Sequence, residues 1–181
     1  MTKKVIAFSG SNSSQSINQA LVKIAASKLK DAEVTIISLQ DYELPLYSQD
    51  LEQNEGFPDK AKELKALIVE HDALIIASPE HNGSMPAVFK NTIDWLSRMV
   101  EPMQPFFGDE KKSVLLLSTS PGPTGGKNGL AHLASLMPWW GGDVKATYSL
   151  GSFYDHFLEG KLSSGIDHEL TLVVDEFVRE L

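Results

Sequence analysis

The order of apolar runs and amphipathic stretches predicts an α/β fold, a three-layer sandwich around a five-stranded parallel sheet in the order 2-1-3-4-5. Three observations carry this. Five short apolar runs, at 5–9, 34–39, 73–78, 113–118 and 144–148, alternate with five stretches of helical apolar spacing. The runs at 5–9 and 73–78 are continuously apolar up to a closing serine, as strands covered on both faces require. Strict strand–helix alternation implies parallel strands joined by right-handed crossovers. In a sheet of this size and order, the topological switch point falls between the first and third strands.

The first strand, 5–9, runs into a small-residue loop at 10–15. A helix begins at Ser16, with Ile17, Ala20, Leu21, Ile24, Ala25 and Leu29 on one face; Ser16 with Gln19 fits a capping box. After the strand at 34–39 comes a long polar connection, 41–57, containing Pro45. Pro58 suits the first turn of the next helix, whose apolar face is Ala61, Leu64, Leu67 and Ile68. The strand at 73–78 leads into the loop 79–86 and a helix over 87–98. Pro102, Pro105 and Gly108 break the stretch 101–112. The strand at 113–118 ends in a second loop rich in Gly, Pro, Ser and Thr, 119–126. A helix over roughly 128–137 places Leu130, Leu133, Ala134 and Met137 on one side, and Gly141-Gly142 ends it. A strand at 144–148 and a polar excursion at 151–165 precede the cleanest helical pattern: Leu170, Val173, Val174, Phe177, Val178 and Leu181. With no repeat, low-complexity tract or linker, residues 1–181 are expected to form one domain.

Composition removes several classes. A hydrophobic fraction of 42% and a charged fraction of 22% are those of a soluble globule with room for a full core. The chain has no cysteine, so disulfides, thiolate nucleophiles and Cys-based metal sites are excluded. A net charge of −8 argues against a nucleic-acid surface. No apolar run approaches the roughly 18 residues of a membrane span, and Met1 to Phe8 does not form a signal peptide, so a cytoplasmic protein is expected. His71, His81, His132, His156 and His168 lack paired metal spacing, and no metal site is expected. No GxSxG elbow supports a hydrolase triad. The segment 122–128 fails as a phosphate-binding P-loop, with Pro121 where the motif needs glycine and Asn128 where it needs Ser or Thr.

The predicted sheet order brings the loops after Ser9, Ser78 and Ser118 to one edge, where open α/β sheets bind ligands. In the first, free N–H groups at a helix start and neighbouring hydroxyls make an anion site, with Ser11, Ser16 and Asn18 as phosphate donors. It lacks the GxGxxG of a dinucleotide fingerprint. The central loop, 79–86, exposes backbone N–H and C=O groups beside Glu80, His81 and Asn82. Such a turn matches the alternating donors and acceptors along the pyrimidine edge of a flavin; an ordinary strand–helix connection is the plainer alternative. The glycines of the third loop suit close backbone approach beside a flat ligand. Trp95, Trp139 and Trp140 are read chiefly as core or interface packing.

These residues give the chain a resemblance to the NAD(P)H-dependent FMN reductase family, also described as NADPH:quinone or chromate reductases, of flavodoxin-like fold. Gly10, Ser11, Ser16 and Asn18 carry its Gly-Ser…Ser-x-Asn opening, and its central signature runs from Pro79 to Arg98. Leu44-Pro45-Leu46-Tyr47, Glu55-Gly56-Phe57-Pro58 and Gly125-Gly126 match further segments, so the resemblance spans nearly the whole chain. It implies bound FMN, with Ser11, Ser16, Ile17 and Asn18 on the phosphate, Pro79, Glu80, His81, Asn82 and Gly83 lining the isoalloxazine, and Ser118 flanking it. It also implies NADPH or NADH as hydride donor, a small acceptor such as a quinone, flavin, azo compound or metal oxyanion, and a homodimer or homotetramer with FMN near the interface. Hydride transfer needs no side-chain nucleophile, and no catalytic side chain is expected. A flavodoxin-type electron carrier and a flavin-bearing sensor are the alternatives; the carrier's Thr-Gly-x-Thr-Gly phosphate loop is absent from Gly10 to Ser16. Two positions depart from the family. Ser13 stands where an arginine is usual, removing a charge-assisted contact of a kind worth about 1.5–3 kcal/mol. His81 stands where a tyrosine is usual, which bears on ring stacking and on how the flavin potential follows pH.

Overall fold

The computed structural model describes residues 2–181. Strands β1 (Lys3–Ser9), β2 (Ala32–Ile36), β3 (Ala73–Ala77), β4 (Lys112–Thr119) and β5 (Gly142–Leu150) form one parallel sheet in the order β2-β1-β3-β4-β5, as expected. Side-chain alternation with period two sends each strand's residues to opposite faces. Val5, Ala7, Ile75, Leu115 and Leu117 pack under Leu21, Val22, Leu170 and Phe177, from helices α1 (Ile17–Ser27) and α7 (Ser164–Arg179). Ile6, Phe8, Leu74, Ile76 and Leu116 pack under Leu64, Phe89 and Leu133, from α3 (Asp59–Glu70), α4 (Ala87–Ser97) and α5 (Lys127–Trp140). Because both faces are covered, β3 is buried at every residue.

The connections hold more structure than their composition suggests. Within 41–57 lies α2 (Gln49–Glu55), capped by Ser48, whose Oγ accepts from Leu51 N. Arg98 pairs with Glu52 at 2.9 Å and holds its carboxyl below the usual range, tying α2 to the end of α4. The 151–165 excursion contains a four-residue helix, α6 (Phe153–His156), and a small hairpin of β6 (Phe157–Leu158) and β7 (Lys161–Leu162). Helix α5 runs through Pro138 to Trp140, three residues past its expected end, and stops at Gly141 in the left-handed region (φ +98°). Trp95 and Trp140 are core residues, whereas Trp139 is 71% exposed.

Tyr148 of β5 donates to Glu169 of α7 at 3.4 Å, and burial together with that carboxylate pushes its hydroxyl up to about 12. A folded value above the unfolded one, near 10, stabilises the fold below pH 10, and that stabilisation is lost as pH rises towards 12. Alkaline chemical denaturation should therefore fall less steeply between pH 10 and 12 for Tyr148→Phe than for the wild type; identical slopes would exclude this linkage.

Candidate cofactor site

The C-terminal edge of the sheet opens where its ladders run out, and two consecutive amides of α1 fill the gaps. Ser78 N still pairs with Leu117 O, but β3 offers nothing to Thr119, two residues on. There Asn18 substitutes for a strand: its Nδ2 donates to Thr119 O at 2.9 Å, and its Oδ1 accepts from Thr119 N at 3.0 Å. Between β1 and β2 the last ladder bond is Ile37 N to Ala7 O. Beyond it Gln19 bridges the widening strands, Oε1 accepting from Ser9 N at 3.0 Å and Nε2 donating to Ile37 O at 3.0 Å. Both side chains thus act as spare peptide groups.

This changes two expectations. The capping box is half formed: Ser16 Oγ accepts from Gln19 N at 3.1 Å, but the Gln19 side chain is drawn to the strands and Ser16 N pairs with Ser13 O. The carboxamide of Asn18, expected on a phosphate, is 2% exposed and committed to Thr119, so what it offers an anion is its backbone N–H.

The first loop is a ladder of serines. Ser9 Oγ accepts from Ser11 N, Ser11 Oγ from Ser13 N, and Ser13 Oγ from Gln15 N, at 3.3, 3.1 and 3.2 Å. A hydroxyl that accepts in this way keeps its own proton to donate. The first amides of α1, Ile17 and Asn18, have no partner among the described residues, as the start of a helix leaves them. The helix dipole adds partial positive charge there.

The central loop is a tight reversal. His81 N donates to Ser84 O at 2.8 Å and Ser84 N to His81 O at 3.1 Å, with Asn82 (φ +53°) and Gly83 (φ +80°) both left-handed. That is the Asn-Gly signature of a type I′ turn, a signal legible in the sequence. Two contacts pin it to α5. Glu80 Oε2 accepts from Gly129 N at 2.9 Å, supplying the cap that Gly126 has no side chain to give, and Ser84 Oγ lies 3.0 Å from His132 Nδ1.

Between these loops lies a cleft of about 280 Å³. Seven of the ten expected residues line it: Ser11, Ser16, Ile17, Asn18, Pro79, Glu80 and His81. Asn82 faces the neighbouring cavity beside His132 instead, and Gly83 stands at the turn with nothing within 4 Å of where a Cβ would be. Ser118, expected beside the ring, is fully buried under Gly126, where a Cβ would collide with its hydroxyl. The cause is strand alternation: Ser118 follows Leu116 onto the α5 face, and Thr119 follows Leu117 onto the α1 face. Thr119, Ser120 and Pro121 form the wall there. Gln15 and Tyr154 complete the lining. Tyr154 is held there by Ser152 N to Gly122 O and Phe153 N to Ser120 O, at 2.8 and 3.1 Å. The sheet order puts the loop after β5 beside the loop after β4, and that was the available signal for it.

The donor set suits a flavin mononucleotide. Unpaired helix-start amides and serine hydroxyls fit a phosphate. The cleft's lining has no lysine or arginine, and the walls of Pro79, Pro121 and Tyr154 fit a flat ring.

The comparisons with known proteins agree with this geometry. Residues 3–154 match the family model described as NADPH-dependent FMN reductase. The chain is 31% identical to the quinone reductase of Escherichia coli strain K12 over 174 residues, 96% of this chain and 86% of that one. It is 38% identical to an NAD(P)H-dependent FMN reductase of Pseudomonas aeruginosa over 135 residues, 74% of this chain and 69% of that one. The structure is similar to FerB, a flavoenzyme NAD(P)H:(acceptor) oxidoreductase from Paracoccus denitrificans, with a TM-score of 0.76 at 25% identity, covering 98% and 96% of the two chains. Flavodoxin 1 of Bacillus cereus shares the fold, with a TM-score of 0.62 at 15% identity, covering 99% of each chain. With strand order, cleft and family model in agreement, the chain belongs to the NADPH-dependent FMN reductase family and is a flavodoxin-like oxidoreductase of FMN and NAD(P)H.

Proposed function

We propose that the cleft between the first, central and third loops holds FMN and that a small acceptor, in the first place a quinone, takes the electrons. The observation that carries this is the convergence of Ser11, Ser16, Pro79, His81 and Ser120 on one cleft at the switch point of the sheet. The quinone is favoured by the name of the Escherichia coli relative. When bound, the flavin supplies the hydride chemistry, and the protein supplies position and electrostatics. The Ile17 and Asn18 amides and the Ser11 and Ser16 hydroxyls hold the phosphate, with no cation in the lining. Pro79, Glu80 and His81 present the backbone edge to the ring, and the rigid Asn82–Gly83 turn fixes that edge. Asn18 and Gln19 position these loops from behind and keep the splayed strand ends from opening to water.

In this reading residues 1–181 form a single FMN-binding domain, working in the cytoplasm as a homodimer or homotetramer. Trp139, largely exposed on α5, favours self-association. No helix among the described residues is long and apolar enough to cross a membrane.

The test is direct. Protein stripped of ligand and titrated with FMN should turn yellow with one equivalent bound per chain. The loaded protein should then consume NADPH or NADH steadily when a benzoquinone is supplied. Failure to bind FMN removes the cofactor assignment; binding without turnover favours the electron carrier.

A further inference from the structure

The cleft does not close at its phosphate end. Gln15, Ser16, Ile17 and Tyr154 are shared with a second cavity, of about 390 Å³, which runs beside α1. Its far wall is aromatic. Phe153 is buried and stacks on Phe157 at 4.7 Å between ring centroids, and Tyr154, 60% exposed, stands edge-on to Phe153 at 5.7 Å. Its other wall is the α1 stripe Ser16, Gln19, Ala20 and Lys23, spaced to share one helix face. Lys23 is exposed, makes no ion pair among the described residues, and is the one lysine or arginine lining either cavity. Seven residues past Ser16, it lies about 10 Å further along the helix.

Resting on the reading of the α1 start as the flavin phosphate site, we propose that this second cavity takes an adenylate group. A base on the Tyr154–Phe157 wall is held by stacking, which tolerates any flat ring. A phosphate next to the first one meets Lys23, the cation that the first loop lacks because Ser13 stands in place of arginine. Continuity with the flavin cleft restricts the source to two molecules: FAD, whose adenylate extends from the flavin phosphate, or the nicotinamide dinucleotide.

The experiment reads Lys23 charge on each ligand separately. Wild type, Lys23→Ala and Lys23→Glu are titrated as ligand-free protein with FMN and with FAD, and the KM for NADPH and NADH is measured on the FMN-loaded proteins. The expected result is that Lys23→Glu weakens one adenylate-bearing ligand about tenfold, Lys23→Ala by less, and FMN by under twofold. If FAD is the source, FAD binds the wild type more tightly than FMN and loses that advantage in Lys23→Glu. If the dinucleotide is the source, FAD binds no more tightly than FMN, and the KM for NADPH or NADH rises while kcat holds. Indifference of FAD affinity and of both KM values to the charge at position 23 overturns the proposal. So does an equal loss of FMN affinity, since Lys23 would then serve the flavin's own phosphate. Failure of the wild type to bind FMN would instead remove the cofactor-site reading beneath it.

Discussion

Asn18→Leu is expected to lower stability by about 2–4 kcal/mol and FMN affinity by an order of magnitude or more. Leucine keeps the branched heavy-atom skeleton of asparagine and can neither donate nor accept, so the loss is chiefly that of the hydrogen bonds. Thr119 N–H and C=O are buried, and β3 ends too early to pair with either. Without the carboxamide both are left unsatisfied, at about 1–2 kcal/mol each for neutral backbone groups. For a chain of this length that corresponds to a fall in Tm of roughly 5–15 °C. The effect on binding follows from position: α1 carries one wall of the cleft and Thr119–Pro121 another, and Asn18 joins them. Thermal unfolding with and without FMN reads both effects. An unchanged Tm would mean that water replaces the amide at Thr119, and the view of Asn18 as a substitute strand would be abandoned.

That residue also marks the limit of what the sequence made legible. The sheet order and the meeting of three loops follow from alternating runs and helical periods, which are local signals, and they hold in the structure. Ser11 and Ser16 are expected beside the helix start from their place in the sequence, and both line the cleft. Asn18 and Gln19 are not. In the sequence they look like a phosphate donor and half of a capping box, because the nearest visible partner is the helix start itself. Their actual partners, Thr119 and the Ser9–Ile37 pair, are fixed by where parallel strands diverge. Divergence is a property of the assembled sheet. Ser118 is a matter of strand parity: two residues past Leu116, it shares that residue's α5 face, while Thr119 shares the α1 face of Leu117 and meets the cleft. Tyr154 lay hidden in a stretch read as polar connection, although its neighbours Phe153 and Phe157 are aromatic.

Gly125→Ala should be as costly, and comparison with Gly83→Ala shows why. Both glycines are left-handed, at φ +64° and +80°, so each alanine carries a backbone penalty of about 1–2 kcal/mol. At Gly83 nothing lies within 4 Å of the new Cβ, and the penalty ends there. At Gly125 the Cβ would meet Ser149 Oγ, and would lie 2.8 Å from Gly151 N and 2.9 Å from the carbonyl carbon of Leu150. Two of these are backbone atoms at the end of β5, and they cannot rotate away. Relieving the overlap should add about 1–3 kcal/mol. It also pushes the third loop off β5, breaking the 3.0 Å bond from Ser149 Oγ to Gly125 O. Because Ser120 and Pro121 sit on that loop, Gly125→Ala should weaken FMN binding as well as stability. Gly83→Ala, by contrast, should leave the fold within about 2 kcal/mol of wild type. Denaturant titration of the two variants separates the contributions. Equal losses would show that the left-handed backbone alone sets the cost, and that the third loop has room to move without disturbing the cleft.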